Sequence, residues 1–337
     1  MSARRLSRSG HVHGGLTMNE MRTGAQADAV DAVDPWAQHV AQLRASLLAP
    51  PGERERFLYL LIDTRGEPDL HKRWADDRGW RYVSLWENLS TSSYHDIAPY
   101  LIAIEPGVLE GTDSRHTLLR ELWADTADRP MLTWAASPFG LDALAQHFQH
   151  FCTFRNSASR LFYLHFCDNR VLTRLHQGFE PALWQAFIAP CYALSTRDRR
   201  NRPVVWRNPL PPSYAADPAP LKLSDAQYER LLAVGYPDKL AMQIRRICDV
   251  DDDEVPEADW IERVEVQLAR AQAYGFKDER ALARYTTLGV LVSQTFDEHP
   301  AVQPVLRRLA DGGDASAVID AVEVAVEQHV DELTGNG

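Results

Sequence analysis

Residues 57–63 read FLYLLID, a run of apolar and aromatic side chains closed by an aspartate. A strand with one face in water would alternate apolar and polar residues, so an unbroken run describes a strand covered on both faces. DLHKRWADD (69–77) then reads as a helix and WRYVSL (80–85) as a second strand. Further strands are expected at YLIAI (100–104), MLTWAA (131–136), FCTFR (151–155), RLFYLHF (160–166) and CYALS (191–195). Between them, SRHTLLRELWADT (114–126) and FGLDALAQHFQHF (139–151) carry apolar residues at helical spacing, with Leu141, Leu144, Phe148 and Phe151 on one stripe. Strands alternating with helices define an α/β lobe over residues 35–205, with a mixed sheet.

Proline is concentrated in WRNPLPPSYAADPAPLKL (206–223), which removes amide donors and holds the chain extended, so this stretch reads as a linker. Beyond it no strand is expected, and residues 224–333 form a smaller helical lobe. Ser224 stands as an N-cap, and a helix that follows the acidic DVDDDE ends near Gly275. Val318, Val322, Val326, Val330 and Leu333 form one stripe of a last helix, an arrangement expected to be core. Residues 1–34 lack sustained periodicity and read as a disordered leader, or as a start assigned ahead of Met18 or Met21.

The 337 residues carry a net charge of −11, which repels phosphate backbones. The basic cluster RDRRNR (197–202) has no base-stacking aromatics beside it, so nucleic-acid binding is not expected. No apolar run approaches the ~20 residues of a membrane helix, and the basic start precedes no apolar secretory segment. A cytoplasmic protein is expected. Cys152, Cys167, Cys191 and Cys248 lack CxxC spacing and read as reduced thiols.

The segment LFYLHFCDNRVLTRL (161–175) invites a catalytic reading. As a strand running through Cys167, it would put Tyr163, His165 and Cys167 on one face. A Cys–His dyad needs its atoms within ~3 Å, whereas residues two apart on a strand stand roughly 6.6 Å apart and parallel. A metal set drawn from His147, His150, Cys152, His165 and Cys167 is the remaining chemical option, and core packing is favoured over it because no recognised ligand spacing appears. Phosphate loops, nucleophile elbows and HExxH are absent from the sequence. Asp168 reads as an N-cap for the helix that follows. Arg170 either pairs with a neighbouring acid or faces a partner.

LYLLIDTRG (58–66), YVSLWENL (82–89), APYLIAI (98–104), PFGLDALAQHFQHFCTFR (138–155) and LFYLHFCDNRVL (161–172) together resemble the effector chaperone (adaptor) domain of bacterial type VI secretion systems. The family pattern places Asp63 at the end of the first strand, His147 in a helix and Asp168 before Arg-Val-Leu. Asn169 stands where the family usually has proline, a change expected to be tolerated. GFKDERALARYTTLGVLVSQTFDEHP (275–300) is similar to the helical tails of some members. The resemblance implies a non-enzymatic protein without cofactor or metal. It would bind a secreted effector, through that effector's N-terminal region, and help load it onto the VgrG spike without being carried out itself. Trp86, Tyr94 and Arg170 are the candidate partner anchors, since Trp, Tyr and Arg dominate interface energetics. A metal-dependent hydrolase using the His and Cys residues, or a structural component of the secretion apparatus, are the competing readings.

Overall fold

The computed structural model describes residues 34–48, 56–76, 79–126, 129–214, 221–250 and 255–335. The leader expected at 1–34 therefore lies, apart from Asp34, outside the described residues. In chain order the elements are α1 (Pro35–Leu43), β1 (Phe57–Asp63), α2 (Lys72–Ala75), β2 (Arg81–Ser84), β3 (Pro99–Ile104), α3 (Pro106–Glu110), α4 (His116–Asp125), β4 (Leu132–Ser137), α5 (Leu141–Phe151), β5 (Thr153–Arg155) and β6 (Leu161–Tyr163). They continue with α6 (Asn169–Gly178), α7 (Pro181–Ile188), β7 (Ala193–Arg197), β8 (Pro203–Arg207), β9 (Leu221–Lys222), α8 (Asp225–Ile247), α9 (Glu257–Tyr274), α10 (Glu279–Leu291), α11 (Gln303–Ala310), α12 (Ala315–Gln328) and α13 (Val330–Thr334).

Six strands form one sheet in the order β2-β3-β1-β4-β7-β8. Its described pairings are antiparallel throughout, and parallel pairing occurs between β5 and β9 in a second, three-stranded sheet ordered β6-β5-β9. The apolar run of β1 is explained by its position. It is flanked by β3 and β4, and every residue after Phe57 is buried. Residues directly opposite on paired strands share a face. Leu60 stands opposite Ile102 and Trp134 and meets the layer of α1, α2 and α4, where Trp36 packs on Trp123 and His39 on Trp134. Leu61 stands opposite Leu101 and Thr133, and the Thr133 hydroxyl donates to Asn169 of α6 on the other face. The expected stripe of α5, Leu141, Leu144, Phe148 and Phe151, is buried.

The C-terminal part is helical, as expected, with its own core from Leu240 to Val326. Ser224 caps α8 through a reciprocal box with Gln227, and Gly275 ends α9 at φ 102°, where a side chain on Cβ would be strained. On α12, Val318, Val322 and Val326 are buried, and beyond it Leu333 packs half-buried against the same core, so the expected stripe departs only at Val330. The helix breaks at His329, leaving Val330 exposed on α13.

The proline-rich stretch is not a free tether in its described parts. Trp206 belongs to β8, Asn208 bonds the carbonyls of Ala189 and Cys191, and Leu221 and Leu223 are buried against β5. The passage between the cores instead runs along α8. Tyr228 and Leu231 pack on the first core, while Leu240, Ala241 and Ile244 belong to the second, with Pro237 inside the helix between them.

Gly178, the last residue of α6, lets α8 approach. A Cβ there would come 2.8 Å from Leu231 Cδ2 and 2.9 Å from Val234 Cγ2. Gly178→Val is expected to destabilise the fold by about 1–3 kcal/mol in chemical denaturation, as overpacked substitutions do. An unchanged midpoint would show that α8 is loosely held.

Candidate functional site

Asp63 ends the central strand and Asp168 precedes α6, and the fold brings the two together through one guanidinium. Arg65 donates from Nε and Nη2 to Asp63, at 2.6–3.0 Å, and from Nη2 to Asp168 Oδ2 at 3.5 Å. Asp168 is the N-cap expected: its Oδ1 accepts from the Arg170 amide at 2.9 Å. It does more than cap, because its carboxylate also takes Arg170 Nε and Nη2 at 3.0 and 2.9 Å. Asn169 puts its backbone N–H to use. Its amide donates to the Pro130 carbonyl at 2.9 Å, a bond proline lacks the hydrogen to make.

Arg170 is thus a pairing residue. Its Nη1 reaches Glu257 Oε1 of α9 at 3.1 Å, so the line of charge from the sheet ends on the helical lobe. More pairs run beside it. Arg174 of α6 holds Asp238 and Glu265, and Arg199 holds Asp238 and Glu257 at 2.6 Å each. Arg200 meets Asp259 at 2.8 Å, and Glu262. Sequence reasoning missed Arg65, Arg174, Arg199 and Arg200. The signal was present: RDRRNR in the first lobe, and Asp259, Glu262 and Glu265 three residues apart on one helix, which puts them on neighbouring faces.

The other candidates are dispersed. Trp86 is 5% exposed and packs on His165, so its ring belongs to the core and is not a surface anchor. Tyr94 is 56% exposed. Near it in sequence, Ser90 Oγ shares a hydrogen bond with the half-exposed Tyr163 hydroxyl at 2.8 Å.

The His and Cys residues do not form the face imagined for a continuous strand. Strand β6 stops at Tyr163: its partner β5 begins at Thr153, Leu164 makes one further bond to the Cys152 carbonyl, and the chain then turns from His165 to Asp168, with His165 and Cys167 in that turn. His147 hydrogen-bonds the Phe187 carbonyl through Nε2 at 2.9 Å, and burial lowers its pKa to about 4. Burial pushes the Cys152, Cys167 and Cys191 thiols well up, away from the thiolate a nucleophile or metal needs. Among the described residues, no three His, Cys, Asp or Glu side chains are placed to hold a metal ion.

Two measurements check this site. Asp168→Ala leaves both Arg65 and Arg170 without their carboxylate. Its expected cost is about 2–3 kcal/mol, above the ~1 of a lost cap and below the ~3–5 of a fully buried pair, since both guanidiniums are partly exposed. A loss near 1 kcal/mol in urea unfolding would reduce Asp168 to a cap. For His147, the unfolded chain takes up its proton near 6.5 and the folded chain only near 4. The unfolded state therefore holds more protons across that window. The contribution of His147 to stability is complete above pH 6.5 and falls as pH drops toward 4. His147→Gln is expected to flatten the acid side of a Tm–pH profile, and an unchanged slope would contradict the burial argument.

Among the described residues, no helix is long and apolar enough to cross a membrane. No curated protein and no solved structure matches the chain. A family model does: residues 58–186, from the second residue of β1 into α7, match the Domain of unknown function (DUF4123), a family associated with type VI secretion effector adaptors.

Proposed function

We propose that the protein is a non-enzymatic chaperone and adaptor that binds one type VI secretion effector and helps load it onto the VgrG spike. The observation that carries this reading is the match over residues 58–186, which takes in β1 to β4 of the central sheet, Asp63, Arg65, Asp168 and Arg170. The α/β lobe is the shared platform in this account, and the helical lobe is the part that selects the cargo. Arginine pairs and the unbroken α8 carry the selector in a fixed position on the platform. A binding role also suits what both lobes expose. The platform presents Tyr94 and Tyr163, and α8 presents Leu232, Met242 and Ile247, at 56%, 72% and 75% exposure, in a chain where most large apolar side chains are buried. The effector's N-terminal region is the proposed contact.

In a strain lacking this gene, one effector is expected to be lost from the secreted fraction while the spike itself is still released. Co-expression with that effector is expected to yield a complex that Tyr94→Ala or Met242→Asp weakens without changing Tm. Normal secretion of every effector in the deletion strain would contradict the adaptor reading.

A further inference from the structure

The two sheets end in β2 and β8, and in β6 and β9, and these edges are open to different degrees. The Ser84 carbonyl of β2 accepts from Gln149 Nε2 at 3.2 Å, β8 opens on Pro203, which has no N–H, and β9 is two residues long. Strand β6 differs. In an antiparallel pair, residues alternate between bonding the partner and pointing their N–H and C=O away from it. Leu164 donates to the Cys152 carbonyl and Asn156 donates to the Arg160 carbonyl, so residues 160, 162 and 164 face β5, while Leu161 and Tyr163 turn their backbone groups outward. Among the described residues, nothing pairs with these two N–H and two C=O groups.

The side chains make this edge selective. Leu161 stands opposite Arg155, Tyr163 opposite Thr153, and Lys222 of β9 is level with Arg155, so these five share one face of the small sheet. Phe154, Phe162 and Leu221 take the other face, where Phe162 stacks on Phe154 and packs against Tyr228 of α8. The outer face thus exposes Leu161 and Tyr163 in line with basic residues, and the Tyr163 hydroxyl meets Ser90 of the loop that carries the exposed Tyr94. Arg155 donates from Nη1 to the Ser159 carbonyl, and Arg160 lies over the Phe162 ring. Among the described residues, neither they nor Lys222 form an ion pair. Asp225, whose carboxylate comes to this hairpin turn, accepts from the Ser157 hydroxyl.

We propose that the outer edge of β6 docks an extended, acidic segment of a partner protein as an added strand. Main-chain bonds to Leu161 and Tyr163 hold such a segment, and its charge selects it. Neighbouring strands stand about 4.8 Å apart, so Arg160, just before β6, and Arg155, one strand further in, are both within reach of a glutamate on the added strand. The same charges exclude a second copy of β6 as the occupant, because it would set Arg155 and Arg160 against their own copies. That the partner is the effector rests on the adaptor reading, whereas the chemistry of the edge does not.

Residue-resolved hydrogen exchange on the full chain tests the proposal, with a capped peptide of alternating glutamate and valine as probe and one of alternating lysine and valine as control. The glutamate peptide is expected to bind saturably and to slow exchange of the Leu161 and Tyr163 amides, with binding weakened as salt is added. The lysine peptide is expected to leave both amides unchanged. Leu161→Pro deletes an outward N–H that the sheet does not use, a change an edge strand tolerates, and is expected to abolish binding. Arg155→Glu, a solvent-facing change that keeps the test readable if the proline variant folds poorly, is expected to weaken the glutamate peptide about 5-fold. No protection of the two amides by the glutamate peptide, equal protection by both peptides, or binding that Leu161→Pro leaves intact would overturn the proposal. Protection in the free chain that rises with its concentration would put a second copy on the edge and would also overturn it. Normal secretion of every effector in the deletion strain would remove the adaptor reading and leave the peptide result standing, so the two fail separately.

Discussion

The carboxylate of Asp168 joins three parts of the molecule: the central strand, α6 and, through Arg170, the helical lobe. Its Oδ1 fixes the first turn of α6, and its Oδ2 faces Arg65, which is forked onto Asp63 at the end of the central strand. Arg170, held by both oxygens, extends to Glu257 on the helical lobe. A carboxylate 6% exposed carries a high desolvation cost and is tolerated when its lone pairs are filled by donors, as they are here. Removing it would strand cations at the meeting point of sheet, helix and second lobe, so its effect reaches further than that of a surface pair.

Around that point the two cores are joined in unlike ways. Along α8 the contact is apolar, with Leu231 packed on the first core and Gly178 giving it room. Between α6 and the turn joining β7 to β8 on one side, and Asp238 of α8 and α9 on the other, the contact is ionic and surrounds a cavity. Apolar contact is indifferent to salt, whereas partly exposed ion pairs are screened by it. The position of the helical lobe therefore rests on one salt-insensitive and one salt-sensitive seam.

Much of this was legible in the sequence. FLYLLID is apolar throughout because its strand lies at the centre of a sheet with helices on both faces, and period and composition report burial directly. Ser224, Asp168 and Gly275 were readable because caps are local chemistry. What stayed hidden depends on distant partners. Strand order and antiparallel pairing are set by which strands meet, information a single run does not carry. The stop of β6 at Tyr163 follows from where its partner β5 begins, and the burial of Trp86 follows from packing on His165. Prolines in 206–223 suggested a tether because they remove donors, yet the described parts are held by distant partners, Trp206 in β8 and Asn208 on the Ala189 and Cys191 carbonyls. The arginine seam was written as separate basic and acidic segments whose pairing only the fold reveals.

Hydrogen exchange on Asp168→Asn and Asp168→Ala measures most directly whether one carboxylate couples the parts. Asparagine keeps a capping oxygen but removes the charge that holds Arg65 and Arg170. The account predicts that Asp168→Ala speeds exchange in both α6 and the first turns of α9, while Asp168→Asn restores α6 and leaves α9 fast. Faster exchange confined to α6 in the alanine variant, with α9 unchanged in both, would contradict it.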